Sequence, residues 1–220
     1  MGTKKLYLED CTTLNGEAVI VDAGSTDDGK PWVRLDVTIF HPQGGGQKAD
    51  RGVIGSVDVV HVAHAANGFV DHVLASPAAF TRGQRVALAV DRGWRRTNAR
   101  LHSGGHLLAA VVEAAFPGLR TLAGHHWPGE ARIEVEGNSL PSTDQIVPAL
   151  ERALAVAVSS DAAVDIIGNP YESRAIQIGD YPPVSCGGTH VRRLGELAGI
   201  RLDKVKLKSG RLRVSYSLVD

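Results

Sequence analysis

The chain has 220 residues, 43% apolar and 22% charged, with 24 Lys and Arg balancing 24 Asp and Glu. This is enough to bury a core in one large or two modest domains, and the composition excludes a disordered or fibrous protein. No run approaches the roughly 18 apolar residues of a membrane helix, and the polar start from Met1 to Asp10 is not a leader segment, so a cytoplasmic protein without membrane association is expected.

Taken in chain order, the first ninety residues read as strands. Glu17–Asp22, Val33–Phe40, Val57–Val62 and Val86–Val90 are short, Val-rich and partly alternating, with Asn15-Gly16, Asp28-Gly29, Asn67-Gly68 and Arg82-Gly83 as turn signals. Regular spacing of this kind predicts a small antiparallel barrel over residues 1–90. From Asp91 the pattern changes. Leu101, Leu107, Leu108, Val111, Val112 and Ala115 recur at helical spacing within Trp94–Phe116, and Pro117-Gly118 stops the run. Ala131–Glu136 alternates like a half-buried strand. A second helix follows Pro141, with Ser142 or Thr143 as its cap and Ile146, Leu150, Leu154 and Val158 on its apolar stripe. Residues 163–167, 173–178, 200–208 and 211–218 complete the chain as strands, the last two joined by a Ser209-Gly210 turn. Residues 91–220 therefore predict an α+β domain.

Two cysteines, Cys11 and Cys186, against nine histidines point to imidazole chemistry rather than a disulfide framework. His102-Ser-Gly-Gly-His106 sets two imidazoles on one helix face, where both reach one ion, although the spacing is also common among ordinary histidines. Two helical glycines cost about 1 kcal/mol each relative to alanine, which close approach of another backbone or a ligand would explain. In Cys186-Gly-Gly-Thr-His190, flexible backbone can fold a thiolate and an imidazole around one centre, and a tight turn with an incidental thiol is the plainer alternative. Together the pairs make a donor set suited to tetrahedral Zn²⁺. In the barrel, Gly44-Gly-Gly-Gln47 is either a flexible hairpin loop or a set of amides facing an anion, with Gln47 as a donor to an oxyanion.

Charge is segregated along the chain. From Val191 to Asp220 there are eight Lys and Arg against three Asp and Glu, while residues 101–190 carry four against ten. A polyanion could be held locally on such a surface, although a charge run is also what a solvated face gives. Arg95, Arg96 and the Lys204, Lys206, Lys208 series are the candidate phosphate contacts. The three lysines equally suit an exposed edge strand protected from pairing.

Gly44-Gly-Gly-Gln47, His102-x3-His106 and Cys186-Gly-Gly-Thr-His190, in this order, resemble the editing module of alanyl-tRNA synthetase, and most of all the free-standing AlaX-type editing proteins of the medium subtype. Thr38-Ile-Phe-His-Pro-Gln before the glycines, and Arg95, Arg96 and Arg100 before the paired histidines, extend the likeness over nearly the whole chain. The resemblance implies a Zn²⁺ held by His102, His106, Cys186 and His190, with Gln47 reaching in from the barrel. Thr38, Gly44, Gly45 and Gly46 would then border the substrate. It implies ATP-independent hydrolysis of mischarged tRNA(Ala), chiefly Ser-tRNA(Ala), with no obligatory protein partner. Lys48 stands where the family commonly has proline, and Arg192–Gly199 lacks a threonine common there. Two other readings stay open: a deacylase like the editing domain of threonyl-tRNA synthetase, and a non-catalytic RNA-binding module with a structural zinc.

Overall fold

A computed structural model describes residues 2–208 and 210–219, the side chain of Lys208 excepted, so Ser209 of the expected hairpin turn lies outside the described residues. The fold is α+β, and the chain divides into two compact units: Met1–Gly44 with Lys48–Arg96, and Gly45–Gln47 with Thr97–Asp220.

The first unit is a closed barrel of β1 (Asn15–Ser25), β2 (Pro31–Leu35), β3 (Gly52–Ile54), β4 (Val57–His64), β5 (Val70–Leu74) and β6 (Arg85–Val90). The strands pair antiparallel in the order β1-β2-β5-β4-β3-β6, and β6 returns to β1. Alternate residues such as Ile20, Leu35, Ile54, Val62 and Leu88 fill the interior. Closure leaves no free edge in the ladder. Two sequence expectations change here. Asn15-Gly16 is not a turn but the start of β1, because pairing with Ala89 and Leu88 of β6 outweighs the local turn preference. The strand expected over 33–40 breaks at Asp36, whose Oδ1 accepts the amides of Val19 and Val37 at 2.8 Å each. Val37–Thr38 then pairs in parallel with Lys4–Lys5. β3 and β5 escaped detection because so few residues show no alternation.

The glycine loop is pinned at its base within this unit. The His41 amide donates to Asp50 Oδ2 at 2.6 Å and the Asp50 amide to the His41 carbonyl at 2.9 Å. Arg95, expected to contact phosphate, is only 4% exposed, and Asp50 beside it is fully buried. Its guanidinium donates to both Asp50 carboxylate oxygens and to the carbonyls of Cys11 and Ile39. The assignment is corrected: a buried carboxylate needs a buried cation, and Arg95 supplies it.

The second unit holds most of α1 (Arg92–Ala115), then β7 (Leu119–His125), β8 (Arg132–Gly137), α2 (Thr143–Ser160), β9 (Val164–Ile167), β10 (Ala175–Ile178), β11 (Val184–Ser185), β12 (Ile200–Lys208) and β13 (Arg211–Leu218). One sheet runs β12-β13-β8-β7 and a smaller one β9-β10-β11. Leu107, Leu108, Val111 and Val112 of α1 are buried with Ile133 and Val135 of β8 and with Ile146 and Leu150 of α2. Each such side chain contributes about 1.5–3 kcal/mol on burial, which anchors the helix that carries the paired histidines. Ser142 is the N-cap of α2, its amide bonded to Gln145 Oε1 at 3.1 Å. Lys204 and Lys206 are exposed on β12, at the edge of its sheet, opposite Ser215 and Arg213. The Lys208 side chain lies outside the described residues. No helix of the described residues is long and apolar enough to cross a membrane.

Candidate metal centre

Helix α1 places His102 and His106 one turn apart, and the loop after β11 brings Cys186 and His190 to them. All four ligand atoms lie within 4.8 Å of one another. His106 Nε2 is 3.2 Å from His102 Nε2, and Cys186 Sγ is 3.3 Å from His190 Nε2 and 3.6 Å from His102 Nε2. His102 and His190 are buried, while His106 and Cys186 form the more open side. A thiol and three imidazoles converging in this way could hold a metal ion.

Neighbouring groups orient these ligands. Gln47 is fully buried; its Nε2 donates to Thr189 Oγ1 at 2.8 Å and its Oε1 accepts the Thr189 amide at 2.9 Å. That pair of bonds fixes which end of the amide is oxygen. His102 Nδ1 lies 2.6 Å from the same Oε1, so Nδ1 carries the hydrogen and Nε2 presents its lone pair to the cluster. Gln47, expected as an oxyanion donor, is buried here, with Oε1 engaged by His102 and the Thr189 amide and one Nε2 hydrogen donated to the Thr189 hydroxyl. Ser103 does the corresponding work for His190: its Oγ accepts the Val191 amide at 3.1 Å and lies 3.0 Å from His190 Nδ1, turning Nε2 toward Cys186. The Gly188 amide donates to Cys186 Sγ at 3.3 Å.

Two of the motif glycines are explained by close approach. A Cβ on Gly188 would lie 2.0 Å from His102 Cε1 and 2.8 Å from Gln47 Oε1. One on Gly105 would lie 2.2 Å from Cε1 of His126. His126 was not foreseen, since no spacing relation ties it to either motif. Its ring stacks on His102 with centroids 4.9 Å apart, and its Nδ1 donates to the Tyr216 hydroxyl at 2.7 Å, which in turn donates to the Leu101 carbonyl at 2.7 Å. Burial, aided by the positive Arg174, holds His106 near a pKa of about 4. Burial, then His106 and His125, holds His126 at about 3. Both rings are therefore neutral at pH 7. Burial pushes the Cys186 thiol up, opposed by the Gly188 amide and Arg174. A thiol so placed becomes a thiolate beside a cation.

The remaining expected residues are distributed unevenly. The Gly46 carbonyl accepts the His126 amide at 2.8 Å, and nothing lies within 4 Å of where a Gly45 side chain would begin. Gly44 belongs to the barrel unit, against the His64 ring. Thr38 is buried; its hydroxyl donates to His72 Nε2 at 2.7 Å and accepts the Phe40 amide at 3.1 Å, so it serves the barrel interior.

A barrel unit and an α+β unit with a His₃Cys cluster define a small two-part protein with a candidate metal centre. No protein-family model matches the chain. It is 31% identical over 221 residues to the alanyl-tRNA editing protein AlaX-M of Pyrococcus horikoshii, covering 98% of each chain. It is 29% identical to AlaX-L of the same organism, over 97% of this chain and 57% of that one. Against the alanine–tRNA ligase of Pyrobaculum neutrophilum the identity is 30%, over 98% of this chain and 27% of that protein. The chain belongs to the AlaX-type family of alanyl-tRNA editing proteins.

Proposed function

We propose that this chain is an aminoacyl-tRNA ester hydrolase that deacylates mischarged tRNA(Ala), chiefly Ser-tRNA(Ala), with a Zn²⁺ held by His102, His106, Cys186 and His190. The observation that carries this reading is the convergence of those four side chains in a member of an alanyl-tRNA editing family. Zinc bonds of about 2.0–2.1 Å to nitrogen and 2.3 Å to sulfur put tetrahedral ligands roughly 3.3–3.6 Å apart. Three of the six separations, 3.2, 3.3 and 3.6 Å, lie close to that spacing, and all four atoms fall within 4.8 Å of one another. Such an ion would supply Lewis acidity or water activation at neutral pH.

The chain's own residues arrange the rest. Gln47 and Ser103 hold two imidazoles in the tautomer with Nε2 inward, and the Gly188 amide steadies the sulfur. Substrate enters from the side of His106 and Cys186, the less buried pair. Backbone at Gly45, which stands in open space, is the part of the glycine loop available to a substrate oxygen. A site that bonds the serine hydroxyl rejects alanine by about 10⁴–10⁵ through the groups it would otherwise leave unpaired. Exposed Arg96, Lys204 and Lys206, with Lys208, contribute phosphate contacts. Residues 1–90 and 91–220 serve as barrel and editing domains in this reading.

Incubation with Ser-tRNA(Ala), Ala-tRNA(Ala) and Ser-tRNA(Thr), with and without chelator, tests it. Chelator-sensitive release of serine from tRNA(Ala) alone is the expected result. Release only from tRNA(Thr), or binding without release, would overturn it in favour of a threonyl-type deacylase or an RNA-binding module.

A further inference from the structure

The sheet β12-β13-β8-β7 turns one face into the core of the second unit. Leu212, Val214 and Tyr216 of β13 and Ile133 and Val135 of β8 are buried there, so the residues between them point outward. The register sets those outward residues in rows. Lys204 stands opposite Ser215, with Arg132 beyond it, and Lys206 opposite Arg213, with Glu134 beyond it. Arg213 meets Glu134 at 2.6 Å and Arg211 meets it at 3.8 Å, while Arg120 of β7 pairs with Glu136 on the same side. Lys204, Lys206, Arg211, Arg213, Arg120 and Arg132 therefore face two carboxylates, Glu134 and Glu136, leaving the surface strongly basic.

Protection of an edge strand accounts for the lysines of β12 alone. Arg211, Arg213 and Arg132 stand on the interior strands β13 and β8, where an edge needs no protection. Lys206 directly opposite Arg213 is a like-charge pairing, which weakens a sheet. A ligand of opposite charge offsets that repulsion.

We propose that this open sheet face seats the double-helical stem of the RNA whose acylated end the protein hydrolyses. This deepens the editing activity proposed above and rests on it. The charges spread over all four strands, about 14 Å from β12 to β7, so they reach phosphates of two backbones. An RNA helix is held through its shape and phosphates, whereas a single strand needs a groove with rings for its bases to stack on. The rings of His125 and Trp127, with centroids 4.7 Å apart, lie at one corner of the face. His125 ends β7 opposite Arg132, and the ring of the next residue, His126, stacks on His102. A stem on this face thus passes its unpaired end around that corner toward the candidate metal centre.

Fluorescence anisotropy with two RNA probes tests this: a hairpin carrying the acceptor stem of tRNA(Ala), and a single strand with only its 3′ end. Wild type should bind the hairpin at least about tenfold more tightly. Lys206→Gln, Arg211→Gln and Arg120→Gln together, all at exposed positions, should erase that preference and lower the slope of log affinity against log salt by about 2–3. The same variant should raise KM for Ser-tRNA(Ala) at least about tenfold, with kcat within about twofold. Ser215→Glu, which puts a carboxylate in the middle of the face and leaves the ion pairs of Glu134 and Glu136 intact, should weaken the hairpin in the same direction. Serine release by wild type, with hairpin affinity and KM unchanged in both variants, would overturn the face assignment and leave the editing activity standing. A triple variant that self-associates at unchanged hairpin affinity would likewise overturn it, in favour of edge protection. Wild type that neither releases serine nor binds the hairpin would remove both.

Discussion

Replacing Gln47 by alanine isolates the contribution of the group that orients the candidate metal centre. In the folded protein Gln47 Oε1 receives hydrogens from His102 Nδ1 and the Thr189 amide, and its Nε2 satisfies the Thr189 hydroxyl. Gln47 and Thr189 are both fully buried, and His102 is only 1% exposed, so water does not replace the lost partner. Two stranded donors at about 1–3 kcal/mol each give a loss of roughly 2–6 kcal/mol in stability. For a chain of this size that lowers Tm by about 4–24 °C. With its orienting acceptor removed, His102 is free to exchange tautomers, and metal affinity should fall about 10–100-fold. Zinc titration against a chromophoric chelator measures the affinity, and ¹⁵N imidazole spectra report which nitrogen of His102 bears the hydrogen. Gln47→Glu retains an acceptor for both donors and should restore the His102 tautomer. Wild-type affinity in Gln47→Ala, with His102 still a single Nδ1–H tautomer, would refute the role assigned to Gln47.

Three further outcomes are expected. Burial holds the His72 imidazole at about 4, against an ordinary value of 6.5. Between these values the unfolded chain binds the extra proton, so stability present above pH 6.5 declines as pH falls toward 4, by about 3 kcal/mol in total. Urea unfolding should show this slope in wild type, and His72→Gln should make it shallower by the His72 share, the buried His106 and His126 supplying the remainder. Asp50→Ala leaves the Arg95 guanidinium buried without its carboxylate and should cost about 3–5 kcal/mol; Arg96→Ala, at an exposed position, should leave urea unfolding unchanged, raise KM for tRNA at low salt and make KM less sensitive to salt. Gly188→Ala forces a methyl group into the His102 ring and toward Gln47 Oε1, and should abolish zinc binding, measured by chelator competition, while circular dichroism still reports an intact barrel.

The four candidate ligands were legible because each pair sits within one local motif. His102 and His106 share a face through helical periodicity, and Cys186 and His190 share a glycine-rich turn. The same locality made β12, β13 and both helices readable: the period of their apolar residues and their stop signals lie within the segments themselves. β3, β5, β7 and β11 were missed, β3, β5 and β11 because two to five residues carry no measurable period. Arg95 was misread as a surface cation, since a basic residue near others in sequence gives no sign that a buried carboxylate 45 positions away is its partner.

What the sequence determined by itself, then, is the donor set, the helical register that pairs two of its members, and the alternation that builds the barrel, all consequences of spacing along one segment. Only the tertiary structure decided that Gln47 orients His102, that Ser103 orients His190, that His126 backs the cluster and that Gly188 leaves room for an imidazole. Those roles depend on burial and on hydrogen bonds between groups as far as 142 residues apart in the chain, such as Gln47 and Thr189, and distance along a polypeptide does not encode proximity until the core has packed.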